Sequence, residues 1–131
     1  MLKGAGVAGR KFDIRQWVLL RSVNPLEVYM FSHCYVRLCS QTYSLNGLND
    51  LRSHLTNYSF NKGSFKHRAE SVLSFDTFVS LLKTEKGVDY QQTLRPKIKE
   101  IVLESIRSAQ DQLNDLNKRC FSLLGYDILL D

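Results

Sequence analysis

From Leu94 to Leu116, apolar residues return at steps of three and four: Leu94, Ile98, Ile101, Val102, Ile106, Ala109, Leu113 and Leu116, with Ser105 on the same side. That spacing lines one face of a single long helix, from about Thr93 to Leu116. Pro96 falls in its first turn, where a missing N–H costs little. A helix with one apolar face draws most of its stability from the surface it packs on. The chain offers such a surface. Ile14, Trp17, Val18, Leu19 and Leu20 make a β-rich run ended by the turn dipeptide Asn24-Pro25. Val28 to Phe31 make a second run and Cys34 to Cys39 a third, with Ser32-His33 as a tight connection between them. The expectation is an antiparallel meander with helices packed on it, mixed α/β and of the α+β type. A shorter helix is expected over Phe75 to Lys83, with Ser74 as N-cap, Gly87 as stop, and Phe75, Phe78, Val79 and Leu82 on its inner side. Ser44 to Leu51 reads as a turn with a helical fragment.

The two ends are read differently. Met1 to Arg10 is rich in glycine and small residues and lacks the apolar core of a secretory signal, so residues 1–10 read as a loop or flexible leader. Asn117-Lys118-Arg119 is expected to break the long helix. Cys120 to Asp131 then reads as two strand pieces separated by Gly125, the second apolar on both faces apart from Asp127. A strand buried on both faces calls for a further pairing strand, so residues 11–131 are expected to be a truncated piece of a longer domain, with Asp131 as a turn residue.

At 131 residues with 44% apolar and 24% charged side chains, the chain is long enough for one core and is not of disordered composition. No apolar run approaches the roughly 18 residues that cross a bilayer, so no membrane partner is expected. Cys34, Cys39 and Cys120 show no CxxC pair or zinc-ligand spacing, and Cys34 and Cys39 fall in a strand run, which suits buried thiols in a reducing cytosol. The net charge of +5 favours an acidic partner. Lys62, Lys66, His67 and Arg68 form the densest basic cluster, which taken alone is a solvated loop. Interleaved aromatics and nucleic-acid-reading motifs are missing, so no nucleic acid is expected; an acidic protein tail fits the same charge.

Chemistry-bearing residues gather in three blocks and in the third strand run. In Lys11-Phe12-Asp13-Ile14-Arg15-Gln16-Trp17-Val18-Leu19, alternation puts Lys11, Asp13 and Arg15 on one strand face. Isolated, Lys11 and Asp13 would be a surface ion pair at a strand end. In the third run Tyr35, Arg37 and Cys39 share a face, and Arg37 offers a planar fork that binds a carboxylate through two bonds. His54-Leu55-Thr56-Asn57-Tyr58-Ser59 supplies a hydroxyl and a neutral amide at Thr56 and Asn57, which bind but do not transfer protons. His54 reads as a structural hydrogen-bonder. In Gly125-Tyr126-Asp127-Ile128-Leu129-Leu130-Asp131, Asp127 is a carboxylate among apolar neighbours, costly to bury unless paired or bound to a cation.

These three blocks, in this order, resemble the tubulin tyrosine ligase-like family, in register from Gly9 to Asp131 and most weakly between Phe60 and Thr93. Members of that family are ATP-grasp enzymes that join an amino acid to tubulin. The resemblance implies an ATP-grasp-like sheet, ATP and Mg²⁺ as cofactors, the acidic tails of tubulin in microtubules as partner, and a free amino acid as co-substrate. It also implies a cytoplasmic, cytoskeletal setting, in a cilium or flagellum. Residue by residue, it implies nucleotide contacts from Lys11, Phe12 and Asp13, and from Thr56 and Asn57. It places Arg15 in the active cleft, Arg37 on the carboxylate of the incoming amino acid, Tyr58 and Ser59 along the amino-acid pocket, and Asp127 on Mg²⁺. The family's further Glu-x-Asn metal motif and its upstream nucleotide-binding half match nothing between Met1 and Asp131. Asp13 to Trp17, Asn24-Pro25-Leu26 and Ser40 to Leu45 look more like the glycine-adding branch, whereas His54 to Ser59 is shared with glutamate-adding relatives. Where those relatives often carry a lysine ahead of Leu73-Ser74-Phe75, this chain has Ser71-Val72. The expected activity is therefore a tubulin–glycine ligase, with a tubulin polyglutamylase or a non-catalytic microtubule-binding module as the alternatives.

Overall fold

The computed structural model describes residues 7, 9–66, 68–113 and 120–130. Among these, five strands form one antiparallel sheet: β1 (Arg10–Ser22), β2 (Glu27–Met30), β3 (Tyr35–Thr42), β4 (Val72–Leu73) and β5 (Ser122–Ile128). Four α-helical segments among the same residues accompany it: α1 (Leu51–His54), α2 (Tyr58–Asn61), α3 (Phe75–Lys86) and α4 (Arg95–Ala109). The mixed architecture expected from the sequence is what is found.

The thirteen-residue β1 organises everything. Along one edge it pairs with β5, Ile14 opposite Ile128 through Leu20 opposite Ser122. Along the other it pairs first with β3, Asp13 opposite Arg37, and then with β2, Leu19 opposite Tyr29. The runs are therefore not a meander, because β2 and β3 do not pair with each other. They follow one another in the same direction along β1, and Ser32-His33 marks an interruption instead of a reversal. Four residues separate Ile14 from Val18, while six separate their partners Val36 and Met30. The surplus is absorbed around Gln16, which is fully buried and whose amide donates to the carbonyls of Trp17 and Phe31, 3.0 Å each. Periodicity alone could not distinguish a hairpin from an interrupted strand.

Even-numbered residues of β1 face the helices and odd-numbered ones face away. Ile14, Val18, Val36, Leu38 and Ile128 meet Phe78 and Leu82 of α3 and Ile98, Val102 and Ile106 of α4 in one core. Phe12 lies edge-on to Phe78 at 6.1 Å, and Tyr90 lies edge-on to Phe75 at 5.1 Å. Val7 is fully buried in the same core and Arg10 opens β1, so these two residues of the stretch read as a leader belong to the fold. Residues 1–6 and 8 lie outside the described residues, as do His67, residues 114–119 and Asp131. The expected helix break at Asn117-Lys118-Arg119 thus falls outside them.

Helix α3 starts at its predicted cap, where the Ser74 side chain accepts from the Thr77 N–H, and ends at Gly87, φ 64°. That left-handed conformation costs a residue with a Cβ about 1–2 kcal/mol. Gly87→Ala is accordingly expected to lower stability by about 1 kcal/mol, read as a shift of the urea midpoint at unchanged slope. The long helix is shorter than its apolar stripe suggests: a π-helical turn at Tyr90–Leu94 precedes α4, and a 3₁₀ turn at Gln110–Gln112 follows it. Leu113 is extended and exposed, and Ile101 faces solvent, so the working stripe is Ile98, Val102 and Ile106. Finally, β5 runs unbroken through Gly125, which pairs opposite Trp17. Leu123 and Leu129 are exposed, so β5 is buried on one face only. Cys34 and Cys39 are buried and Cys120 is exposed, all three as free thiols.

Candidate functional site

Four charged side chains from three strands come together on the outward face of the sheet. Asp13 and Arg37 are opposite each other across β1 and β3, and Arg15 and Asp127 across β1 and β5. Register alone would make two separate pairs; the side chains make them one chain. Arg37 clamps Asp13 through both ends of its fork, Nε to Oδ1 at 2.8 Å and Nη2 to Oδ2 at 2.5 Å. The same Nη2 lies 2.9 Å from Asp127 Oδ2, and Arg15 Nη1 lies 3.0 Å from Asp127 Oδ1. Asp127 is thus a bridge between two guanidiniums.

Burial grades along this chain of charges. The side chains of Asp13 and Arg37 are only 8% and 12% exposed, whereas that of Asp127 is 45% exposed. Hydrogen bonding to Asp13 pushes the Arg37 guanidinium further above its ordinary value, against the opposing effect of burial, with Asp127 adding to the rise. Arg37 is therefore a permanent cation with its fork preset by Asp13. Arg15 is set otherwise: it lies 5.4 Å over the Trp17 ring and donates to the Gly125 carbonyl at 3.1 Å. Its Nε is buried without a partner among the described residues.

The remaining sequence candidates divide clearly. Thr56 is brought in, its buried hydroxyl donating to Asp13 Oδ2. Asn57, Tyr58 and Ser59 follow at the exposed start of α2, with Asn57 as its N-cap residue. Lys11 shares the outward face by alternation and lies near enough to Cys39 for its charge to act on that thiol, which burial nevertheless pushes up to about 11. Phe12 is not brought to this face; it faces the core against Phe78. His54 donates from Nε2 to the Gly47 carbonyl, 3.2 Å away, and its ring meets Tyr43 edge-on, a structural role as expected.

Three residues that sequence reasoning passed over hold the site in shape. Asn61, fully buried, donates to the carbonyls of Leu55 (2.7 Å) and Asn57 (3.0 Å) and accepts from the Ser40 N–H (3.0 Å). It bolts the Thr56-Asn57 segment to the edge of β3. Gln16 fills the gap in β1's partner strand, and Gly125 makes room for Arg15. An amide at the end of a short helix and a glycine in mid-strand were visible in the sequence, yet neither says what it touches.

Chemically, Lys11, Thr56 and Asn57 beside Asp13 suit a nucleotide: an ammonium for phosphate, a hydroxyl and an amide for polar groups. A magnesium site is another matter. Both Asp127 oxygens already receive guanidiniums, Asp13 is clamped by Arg37 and Thr56, and among the described residues no group of three or more His, Cys, Asp or Glu could hold a metal. Mg²⁺ takes carboxylate oxygens together with phosphates and waters in a strict octahedron. Two carboxylates, each neutralised by arginine, do not fit that donor set.

The fold is thus an open antiparallel sheet with helices on one face and paired arginines and carboxylates on the other. The sequence profile of the tubulin-tyrosine ligase family matches residues 6–131, and the chain belongs to that family. Among curated relatives it is 46% identical over 124 residues to Tubulin glycylase 3E of Tetrahymena thermophila, covering 93% of this chain and 9% of that protein. It is 40% identical over 125 residues to Tubulin glycylase 3F of the same organism, covering 93% of this chain and 14% of that protein. Identity to mouse (Mus musculus) Tubulin polyglutamylase TTLL6 is 34% over 142 residues, covering 95% of this chain and 17% of that protein. The chain spans well under a fifth of the length of these relatives.

Proposed function

We propose that the protein is an ATP-dependent ligase that joins glycine to glutamate side chains of tubulin tails. The observation that carries this is the continuous run Asp13–Arg37–Asp127–Arg15 with Thr56 on Asp13: preset guanidiniums on an open sheet face, suited to anionic substrates. Two relatives named as glycylases stand at 46% and 40% identity, above the other named glycylases at 30–34% and a named polyglutamylase at 34%, which supports glycine over glutamate.

In this reading the γ-phosphoryl of ATP passes to a tail glutamate carboxylate, forming an O–P bond as ADP leaves. The glycine ammonium gives one proton to solvent, its nitrogen then attacks the activated carbonyl carbon, a C–N bond forms as the C–O bond to phosphate breaks, and the second nitrogen proton leaves with the phosphate. Lys11, Thr56 and Asn57 bind the nucleotide, and Asp13 orients Arg37. Arg37 anchors the glycine carboxylate so that its amine faces the acyl carbon, with Tyr58 and Ser59 along that pocket. Arg15 offsets negative charge at the reacting group. The setting is the cytoplasmic cytoskeleton, in a cilium or flagellum; among the described residues no helix is long and apolar enough to cross a membrane.

A second reading, a basic microtubule-binding module without ligase activity, draws on the net charge of +5. One experiment separates the readings. The intact protein is incubated with microtubules, ATP, Mg²⁺ and labelled glycine or labelled glutamate. Glycine incorporation that depends on ATP is the expected result. Glutamate incorporation instead makes the protein a polyglutamylase, and binding to microtubules with no incorporation makes it a module.

A further inference from the structure

Glycine in the interior of a strand weakens it, so one that persists there needs a reason. At Gly125 the backbone supplies none. Gly9, Gly63 and Gly87 have positive φ; Gly125 does not, and it pairs regularly opposite Trp17 within β5. What surrounds it is informative. A Cβ at this position would lie 2.5 Å from Arg15 Nη1, 3.2 Å from Arg15 Cζ and 3.1 Å from Trp17 Cζ3. The Arg15 side chain leaves β1 and crosses diagonally over β5, stacked on Trp17, to donate to the Gly125 carbonyl and to Asp127. It passes through the space a side chain at 125 would fill.

We infer that Gly125 is a positioning residue: its missing side chain is the seat of the Arg15 guanidinium, and Trp17 is the wall of that seat. The functional consequence rests on the reading of this face as a ligase site. The nearest atom, Arg15 Nη1, is the far end of a flexible side chain, and the Trp17 ring atom at 3.1 Å has to give by only a few tenths of an ångström, so a methyl at 125 is relieved by moving Arg15 and not by moving the strand. Loss of the seat therefore separates from loss of the fold. Arg15 also loses its hold on Asp127, and Asp127 is left with Arg37 alone.

The test uses the intact protein with 7-fluorotryptophan incorporated, which puts the fluorine on Cζ2 and not on the Cζ3 that a methyl at 125 would approach, the Trp17 resonance being assigned by its disappearance in Trp17→Phe. Gly125→Ala is expected to move the Trp17 fluorine resonance to the position seen in Arg15→Ala, with the melting temperature within about 2 °C of the parent. A resonance that stays at the parent position overturns the inference, and so does a melting temperature lowered well beyond that, which would make the glycine a requirement of the strand. Ligase turnover is measured in parallel. Gly125→Ala is expected to lose on the order of a hundredfold in kcat/KM, and Gly125→Ala with Arg15→Ala to lose no more than Arg15→Ala alone. Losses that simply add overturn the inference, because the two residues then act separately. A parent protein that ligates nothing defeats the proposed function, while the fluorine shift still decides the seat.

Discussion

Asp13→Ala is expected to lower stability by about 3–5 kcal/mol, the cost of breaking a buried ion pair from one side. Asp13 is 5% exposed, and both its oxygens are occupied by the Arg37 fork and the Thr56 hydroxyl. Without it, a guanidinium that is 12% exposed keeps only the half-exposed Asp127, and a buried hydroxyl loses its acceptor. The carboxylate's own desolvation cost is already met in the parent, so its removal is felt mainly by the partners left behind. Asp13→Leu combined with Arg37→Met removes both charges at similar volume and is expected to recover most of the loss. Denaturant midpoints of the parent, the two single variants and the double variant check this. If Asp13→Leu alone melts like the double variant, Arg37 has found another partner and the clamp is not what stabilises this face.

The local elements were well marked in the sequence because their causes are local. Ser74 caps α3 through its own hydroxyl, Gly87 ends it through its own φ, and the odd–even alternation of β1 and β3 already put Lys11, Asp13, Arg15 and Arg37 on shared faces. What escaped reading depends on residues far apart in the chain. Whether Ser32-His33 reverses the chain or merely interrupts a strand is decided by Gln16, a polar residue that looks out of place in an apolar run until its two carbonyl partners are seen. Likewise the stripe beyond Ala109 keeps helical spacing in Leu113, yet the helix gives way there, since apolar spacing describes a face and not the surface available to cover it.

The site shows the same division. Residue types that bind anions could be picked out one by one, and the family resemblance pointed to Arg15, Arg37 and Asp127. Their mutual arrangement could not be read, because it depends on β5 pairing with β1 across more than a hundred residues of chain, Arg15 reaching Gly125 with a separation of 110. Pairing Arg15 with Asp127 and Asp13 with Arg37 in register converts four ordinary surface charges into a coupled set. In that set each carboxylate serves first to orient a guanidinium. A positive charge held in place without slack is more useful to a reaction that moves phosphoryl and carboxylate groups than a freely rotating one, because the ordering cost is met on folding.

Arg37→Lys is the substitution that tests this view most directly, since it keeps the charge and removes the fork. Lysine cannot donate to both Asp13 oxygens in the plane of the carboxylate, so the remaining cation is no longer aimed. Loss of one charge-assisted hydrogen bond is worth about 1.5–3 kcal/mol, roughly ten- to a hundredfold in an equilibrium or rate. In the proposed ligase this falls on the amino acid, whose carboxylate Arg37 anchors. The intact variant is expected to raise the glycine KM, or to lose turnover, by about that factor, with ATP affinity nearly unchanged. Stability should suffer less than in Asp13→Ala, because Asp13 keeps a cation beside it. ATP affinity by equilibrium titration and glycine KM by incorporation, measured on the same preparation, give the answer. If ATP affinity collapses while the glycine KM stays put, Arg37 serves the phosphates, and the amino-acid anchor must be sought elsewhere on this face, with Arg15 in its Gly125 seat as the first candidate.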